Sequence, residues 1–304
     1  MGPKGTWHLA RILRIDLYLH WSWFLVVLLE FQDRAHAYSN PVWNLLEIVA
    51  LFAIITLHEF GHALATRQVG GHADRILLWP FGGIAYVDPP VRPGATLWAI
   101  CAGPLVNVAL APFFYELLHV PMPSLDAAVF VNYLFWMNLA LLIFNILPIY
   151  PLDGGQILRS LLWFPLGRAK SLLATTALGL IGVVGLLYLS WQLGDLWLAA
   201  ITVFILIYCW KGLRSGQVLW KLSQLPHHEG WACPWCKAAP VAAPLWRCSG
   251  CGNGYDIFAH GGICPNCHVR VKNAQCPECV HAYPLEAWAR PAVTSPIPAG
   301  QRGY

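Results

Sequence analysis

The stretch from Val42 to Ala65 is apolar almost throughout, yet it carries Glu47 and the cluster His58-Glu59-Phe60-Gly61-His62. As a helix it would be about 36 Å long, enough to cross the roughly 30 Å hydrocarbon core of a bilayer. Ionisable side chains in such a segment are costly, which marks them as functional candidates. The pattern H-E-x-x-H supplies a chemical reason for them. On a helix its two histidines stand at i and i+4 on one face, where both imidazoles reach one zinc ion. The glutamate beside the first can take a proton from a metal-activated water. These residues predict a hydrolytic zinc centre inside the lipid phase.

The whole chain is built for that setting. Of its 304 residues 57% are hydrophobic and only 11% charged, against about 25% charged in ordinary globular domains. The net charge of +4 is too small to imply a nucleic-acid partner. Six apolar runs are predicted to span: Leu17–Phe31, Val42–Ala65, Ala95–Val120, Ala127–Tyr150, Ser171–Leu193 and Leu196–Leu213. The first is short and is expected to extend back through Ile12–Ile15. It is followed by Glu30-Phe31-Gln32-Asp33-Arg34 and lacks a small-residue cleavage site, so it reads as a retained span. Between the second and third runs, Ile76–Val87 is too short to span and is broken by Pro80, Gly82 and Gly83. A re-entrant hairpin or interfacial loop fits it, since irregular backbone at membrane depth needs cover from protein or a wet cavity.

Loop charges orient these runs. Lys4, Arg11 and Arg14 precede the first; Arg67, Arg75 and Arg92 separate the second and third; Arg159, Arg168 and Lys170 separate the fourth and fifth; Lys211, Arg214 and Lys221 close the sixth. The opposite loops hold Arg34 against Asp33, Asp126 and Asp195. By the positive-inside rule both termini are cytoplasmic. Helical rise then puts His58 about 13 Å, and His62 about 8 Å, below the cytoplasmic anchor Arg67. A catalytic zinc usually takes three protein ligands and keeps one position for water. The best third ligand is Asp153, in Pro148-Ile-Tyr-Pro-Leu-Asp-Gly-Gly155, at the cytoplasmic end of the fourth run. The prolines interrupt a helix there and the glycines let the chain turn.

With these pieces in order the chain resembles the site-2 protease family of intramembrane zinc metalloproteases. The resemblance rests on His58-Glu59-Phe60-Gly61-His62, on Ala102-Gly-Pro-Leu-Val-Asn107, and on Asn145-Ile-Leu-Pro-Ile-Tyr-Pro-Leu-Asp-Gly-Gly155. Ile15–Trp23 and Pro80–Ala85 look like the family's first span and membrane-embedded β-loop, so the likeness covers about residues 5–215. It implies that His58, His62 and Asp153 bind zinc and that Glu59 activates the water. It also implies that Asn107 and Asn145 stand near the metal, suited to hydrogen-bonding a substrate strand or the developing oxyanion. Two accessory modules of the family are not expected: no connection between spans is long enough for a PDZ domain, and the C-terminal region lacks the pattern of a CBS domain.

That C-terminal region holds four C-x-x-C pairs: Cys233/Cys236, Cys248/Cys251, Cys264/Cys267 and Cys276/Cys279. Two such pairs complete one tetrahedral zinc site, so eight thiolates predict two structural ions. Disulfides are disfavoured on the reducing cytoplasmic side. Sequential, nested and crossed pairings all remain open, although Cys248 to Cys267 looks like a self-contained rubredoxin-like ribbon. Five Lys/Arg against four acidic residues from Pro226 to Arg290 give no nucleic-acid footprint. Trp231, Trp235, Trp246, Phe258 and Trp288 would either pack the ribbons or dock a protein partner or the membrane face.

The expected fold is an all-α polytopic membrane protein of six transmembrane helices with a re-entrant β-hairpin loop and a small zinc-ribbon domain. Its divisions are a protease domain (1–220), a linker (221–230), a double ribbon (231–290) and a disordered tail (291–304). The expected activity is endoproteolysis of transmembrane segments of other proteins, using one catalytic and two structural zinc ions. The alternative is a zinc-handling transporter. It would spread ionisable residues over several spans and depths, and the interiors of the fifth and sixth runs have none.

Overall fold

The computed structural model describes residues 5–34, 36–79, 82–279 and 281–289. The chain forms two compact units, Met1–Val218 and Leu219–Tyr304.

The first unit opens with strands β1 (Thr6–Ile12) and β2 (Ile15–His20). β2 lies parallel to β3 (His72–Trp79), which pairs antiparallel with β4 (Gly82–Asp88), giving one sheet in the order β1-β2-β3-β4. Two expectations change here. The run Leu17–Phe31 divides between β2 and α1 (Trp23–Asp33), a helix of 11 residues. At about 16 Å, α1 is too short to span. Five helices among the described residues, not six, are long and apolar enough to cross a membrane: α2 (Pro41–Gln68), α3 (Pro93–Leu118), α4 (Leu125–Ile146), α5 (Asp153–Leu193) and α6 (Leu196–Ser223). Nor is the unit all-α. The physical reason lies in β2, where Ile15 and Leu17 are buried while Asp16 between them turns outward to His8 and Arg11. That is the two-residue period of a strand. The hairpin expected at Ile76–Val87 is β3–β4, and Pro80 and Phe81 at its tip lie outside the described residues.

One face of the sheet packs on α2, with Ile15, Leu17, Ala73, Ile76 and Leu78 against Leu51, Phe60 and Ala63. Arg67, in the last turn of α2, fastens one edge of the sheet. Its guanidinium donates to Leu13 O at 2.6 Å, Arg14 O at 3.0 Å and, through Nε, Ala73 O at 2.9 Å. Its planar fork thus satisfies carbonyls of the β1–β2 turn and the start of β3.

Helices α2 and α3 approach closely. A Cβ on Gly61 would come within 2.5 Å of Ala102 O, so only a glycine permits this backbone contact. Further along, α5 breaks into two legs at Gly167 (φ 76°, ψ 171°), just after Pro165. Proline lacks the N–H and crowds the preceding turn, and glycine alone enters positive φ without strain. The second leg covers the expected fifth span. The first leg is an additional helical segment, and it carries Asp153 in its first turn.

The second unit contains two small hairpins, β5 (Trp246–Arg247) with β6 (Gly254–Tyr255) and β7 (Asn273–Gln275) with β8 (Ala282–Pro284). Its core centres on Phe258, whose ring meets Trp231, Trp246 and Trp288 at 5.2, 5.2 and 5.0 Å. Trp235 instead stacks on His281 at 4.9 Å. All four tryptophans therefore pack in the core of this unit, Trp288 fully buried and the others partly. The segment expected as a linker is ordered. α6 runs to Ser223, and His228 is pinned by its backbone N–H to Pro240 O and by its ring to Asp256 at 2.7 Å.

Candidate active site

Two ionisable groups in α2 have different fates. Glu47 is neutralised in place: Arg34 donates to both its oxygens, at 2.6 and 3.1 Å, and Tyr38 donates a further hydrogen bond. Such a bidentate pair is a structural solution to a buried carboxylate. His58 and His62 instead converge with Asp153, and Glu59 lies beside them, each of the three α2 residues being 6% exposed.

One helical turn apart, the two imidazoles stand edge to face with ring centres 4.8 Å apart. Their Nε2 atoms are 3.1 Å from each other, and Asp153 Oδ2 lies 3.0 Å from His58 Nε2 and 3.3 Å from His62 Nε2. Three lone-pair atoms forming so small a triangle would repel one another without a shared cation. With zinc–nitrogen bonds near 2.05 Å, the edge of a coordination tetrahedron is about 3.3 Å, so the triangle fits one face of it. The outer ring nitrogens are both engaged. His62 Nδ1 donates to Ala99 O at 2.9 Å, and His58 Nδ1 donates to Asn107 Oδ1 at 2.6 Å. Each Nε2 lone pair is therefore left facing Asp153. Hydrogen bonds of this kind orient metal-ligating histidines.

Close backbone approaches shape the remaining walls. Gly103 of α3 lies against both imidazoles, and a Cβ there would come within 2.2 Å of His62 Nε2. Gly83 of β4 lies against Glu59, where a Cβ would meet its Cγ at 2.2 Å. The Ala85 N–H donates to Glu59 Oε2 at 2.8 Å, so this backbone donor of β4 turns away from β3 and toward the carboxylate. A cavity of about 400 Å³ joins these elements, lined by His58, Glu59, His62, Asp153, Asn145 and Gln156, with Phe204 and Tyr208 from α6. Of the anticipated residues, Asn145 lies on the cavity wall and Asn107 does not. Asn107 is fully buried behind His58, its amide engaged by His58 and by Asn138 at 2.8 Å. Asn138, Gly103 and Gln156 were not anticipated. The signal available for Asn138 was an amide in an apolar run seven residues, or two turns, before Asn145.

In the second unit the eight thiols form two separate groups. Cys233 lies 3.6 Å from Cys279 and Cys236 lies 3.7 Å from Cys276. Cys248 lies 3.4 Å from Cys267 and Cys251 lies 3.7 Å from Cys264. The pairing is nested. These spacings exceed a disulfide bond of about 2.05 Å but suit the roughly 3.8 Å edge of a zinc–sulfur tetrahedron. Backbone N–H donation from Asn253, helped by the Asn266 side chain, holds the Cys251 thiol down to about 6. A depressed thiol is ionised at neutral pH and is a competent metal ligand.

Fold and site together define a class: a multi-pass helical membrane protein in which two histidines and an aspartate stand close enough to share one metal ion. The chain belongs to peptidase family M50, the site-2 protease family, whose model matches residues 46–123 and 117–189. The Methanocaldococcus jannaschii zinc metalloprotease MJ0392 is 31% identical over 165 residues, covering 54% of this chain and 47% of its own. The Synechocystis protein sll0528 is 31% identical over 232 residues, covering 69% of this chain and 60% of its own. Stage IV sporulation protein FB of Bacillus subtilis is 35% identical over 113 residues, covering 36% of this chain and 38% of its own. The chain thus spans roughly half the length of the curated relatives it matches. The solved site-2 protease from Methanocaldococcus jannaschii shares the fold, with a TM-score of 0.51 and 23% identity over 68% of this chain and 95% of that one.

Proposed function

We propose that this chain is a zinc endopeptidase that hydrolyses peptide bonds within or near the transmembrane segments of other membrane proteins. The observation that carries this reading is the triangle of His58 Nε2, His62 Nε2 and Asp153 Oδ2 with Glu59 on the same cavity wall. Zinc bound there would supply a Lewis acid for the scissile carbonyl and lower the pKa of a water. The chain's own residues do the rest. Glu59 accepts the proton of the attacking water and passes it to the leaving amine. Asn145 donates a hydrogen bond to the carbonyl oxygen as negative charge develops. Asn107 acts one step further back, as the residue that holds His58, because its amide is already engaged there.

A helical substrate must unwind to expose a carbonyl to this site. β4 is an edge strand of the sheet, and Gly83, Ala85 and Val87 line the cavity. Its open backbone groups offer main-chain pairing to an extended segment. The reading includes both termini on the cytoplasmic side, one catalytic ion, and one structural ion in each cysteine group, three per chain.

Metal removal tests it. Cleavage of a single-span substrate by the purified full chain stops on chelation and returns with zinc. Cleavage that persists in fully metal-stripped protein overturns the reading.

A further inference from the structure

Asn138 of α4 is fully buried in the helical bundle and touches neither the cavity nor any residue of the metal triangle. Its hydrogen bonds nevertheless determine which way the triangle faces. Asn138 Nδ2 donates to the Asn107 backbone carbonyl at 3.0 Å. A carbonyl can only accept, so this bond fixes the amide of Asn138 in one orientation. Its Oδ1 is thereby turned to the Asn107 side chain, where it accepts from Asn107 Nδ2 at 2.8 Å. That in turn leaves Asn107 Oδ1 facing His58 Nδ1 at 2.6 Å. Oδ1 is also only an acceptor, so His58 must carry a proton on Nδ1, which reserves Nε2, facing Asp153 Oδ2, as the nitrogen that can ligate a metal. The opposite Asn107 rotamer would put an NH2 against Nδ1, move the proton to Nε2 and remove the ligand lone pair.

We propose that Asn138 is a positioning residue for the metal centre, locking the amide of Asn107 so that His58 is held in its metal-ligating tautomer. The inference rests on the zinc reading above and adds to it a chain of orientation anchored on a backbone carbonyl. Partners of this kind typically change metal affinity by about 10- to 100-fold when lost.

The experiment measures zinc affinity of the detergent-purified full chain by competition with a chromogenic chelator, the metal being the probe. His58→Ala sets the reference, with one fewer ion than the wild type. Asn138→Leu is expected to weaken that same ion by about 10- to 100-fold. Asn107→Asp added to Asn138→Leu is expected to restore it, because a carboxylate accepts from His58 Nδ1 in either rotamer and needs no lock. Asn138→Ala is the second variant, should Asn138→Leu not fold. It removes the same donor and acceptor without adding bulk, so it is expected to weaken the ion likewise.

An Asn138→Leu protein with wild-type affinity overturns the inference and leaves the zinc reading standing. So does a loss that Asn107→Asp does not repair, since that would mark Asn138 as a packing residue. Wild-type affinity in folded Asn138→Ala overturns it too. Wild-type zinc content in His58→Ala overturns the zinc reading itself, and the lock with it.

Discussion

Gly103 of α3 lies flush against His62 of α2: a Cβ on Gly103 would stand 2.2 Å from His62 Nε2 and 2.8 Å from His58 Nε2. A contact below 3.0 Å with a ring that is hydrogen-bonded on its far side cannot be relieved by a simple rotation. His62 Nδ1 is tied to Ala99 O and His58 Nδ1 to Asn107, so both rings would have to leave their partners.

Gly103→Ala is therefore expected to lose the catalytic ion and the activity together. Overpacking of this kind costs about 1–3 kcal/mol. Zinc analysis should find one ion fewer than in the wild type, with the two cysteine sites still loaded. A full complement of tightly held zinc would show that the imidazoles do not sit where the glycine needs them.

Nested pairing in the second unit makes a counting prediction. Cys233 and Cys279 share one site, so the double substitution Cys233→Ser/Cys279→Ser should cost a single zinc ion. Sequential or crossed pairing would put these two residues in different sites and cost two. Metal analysis of the double variant beside each single one decides between them.

The inner site also has a predictable pH response. Cys251 is depressed to about 6 from its usual value of 9.0, chiefly by the Asn253 N–H. The preference of the folded form for the thiolate is fully present above the ordinary value and is lost as pH falls through the folded one. Protons then compete with zinc for the sulfur. Chelator competition on the full chain should show inner-site affinity falling as pH is lowered toward and below about 6. Affinity independent of pH down to 5 would contradict thiolate ligation at Cys251.

How much of this could be read in the residues depended on the range of the interaction. His58 and His62 were legible because a helix makes i and i+4 neighbours whatever surrounds it. Asp153 was legible because the Pro/Gly setting marks a break in the chain just before it, and the structure brings it beside His58 and His62. β1 and β2 were not: the alternation of Ile15, Asp16 and Leu17 is brief and merges into an apolar run. What makes β2 a strand is its pairing with β1 and β3, and β3 lies more than fifty residues away. The first leg of α5 was hidden by Pro165 and Gly167, which look like loop residues and here separate two helical legs. The nested thiols could not be told from the alternatives because all four C-x-x-C units have the same internal spacing. Asn138 needed the docking of α4 on α3 before its partner could be known.

The chemistry assigned to Glu59 is open to one direct measurement. Glu59→Gln keeps the shape of the side chain and an oxygen able to accept from Ala85 N–H, but removes the base. Loss of a general base typically costs 10²- to 10⁴-fold in rate. Single-span substrates co-expressed with wild type and with Glu59→Gln should be processed by the first and left intact by the second, with zinc content equal in the two purified proteins. Substrate processed at the wild-type rate by Glu59→Gln would contradict the proposed centre.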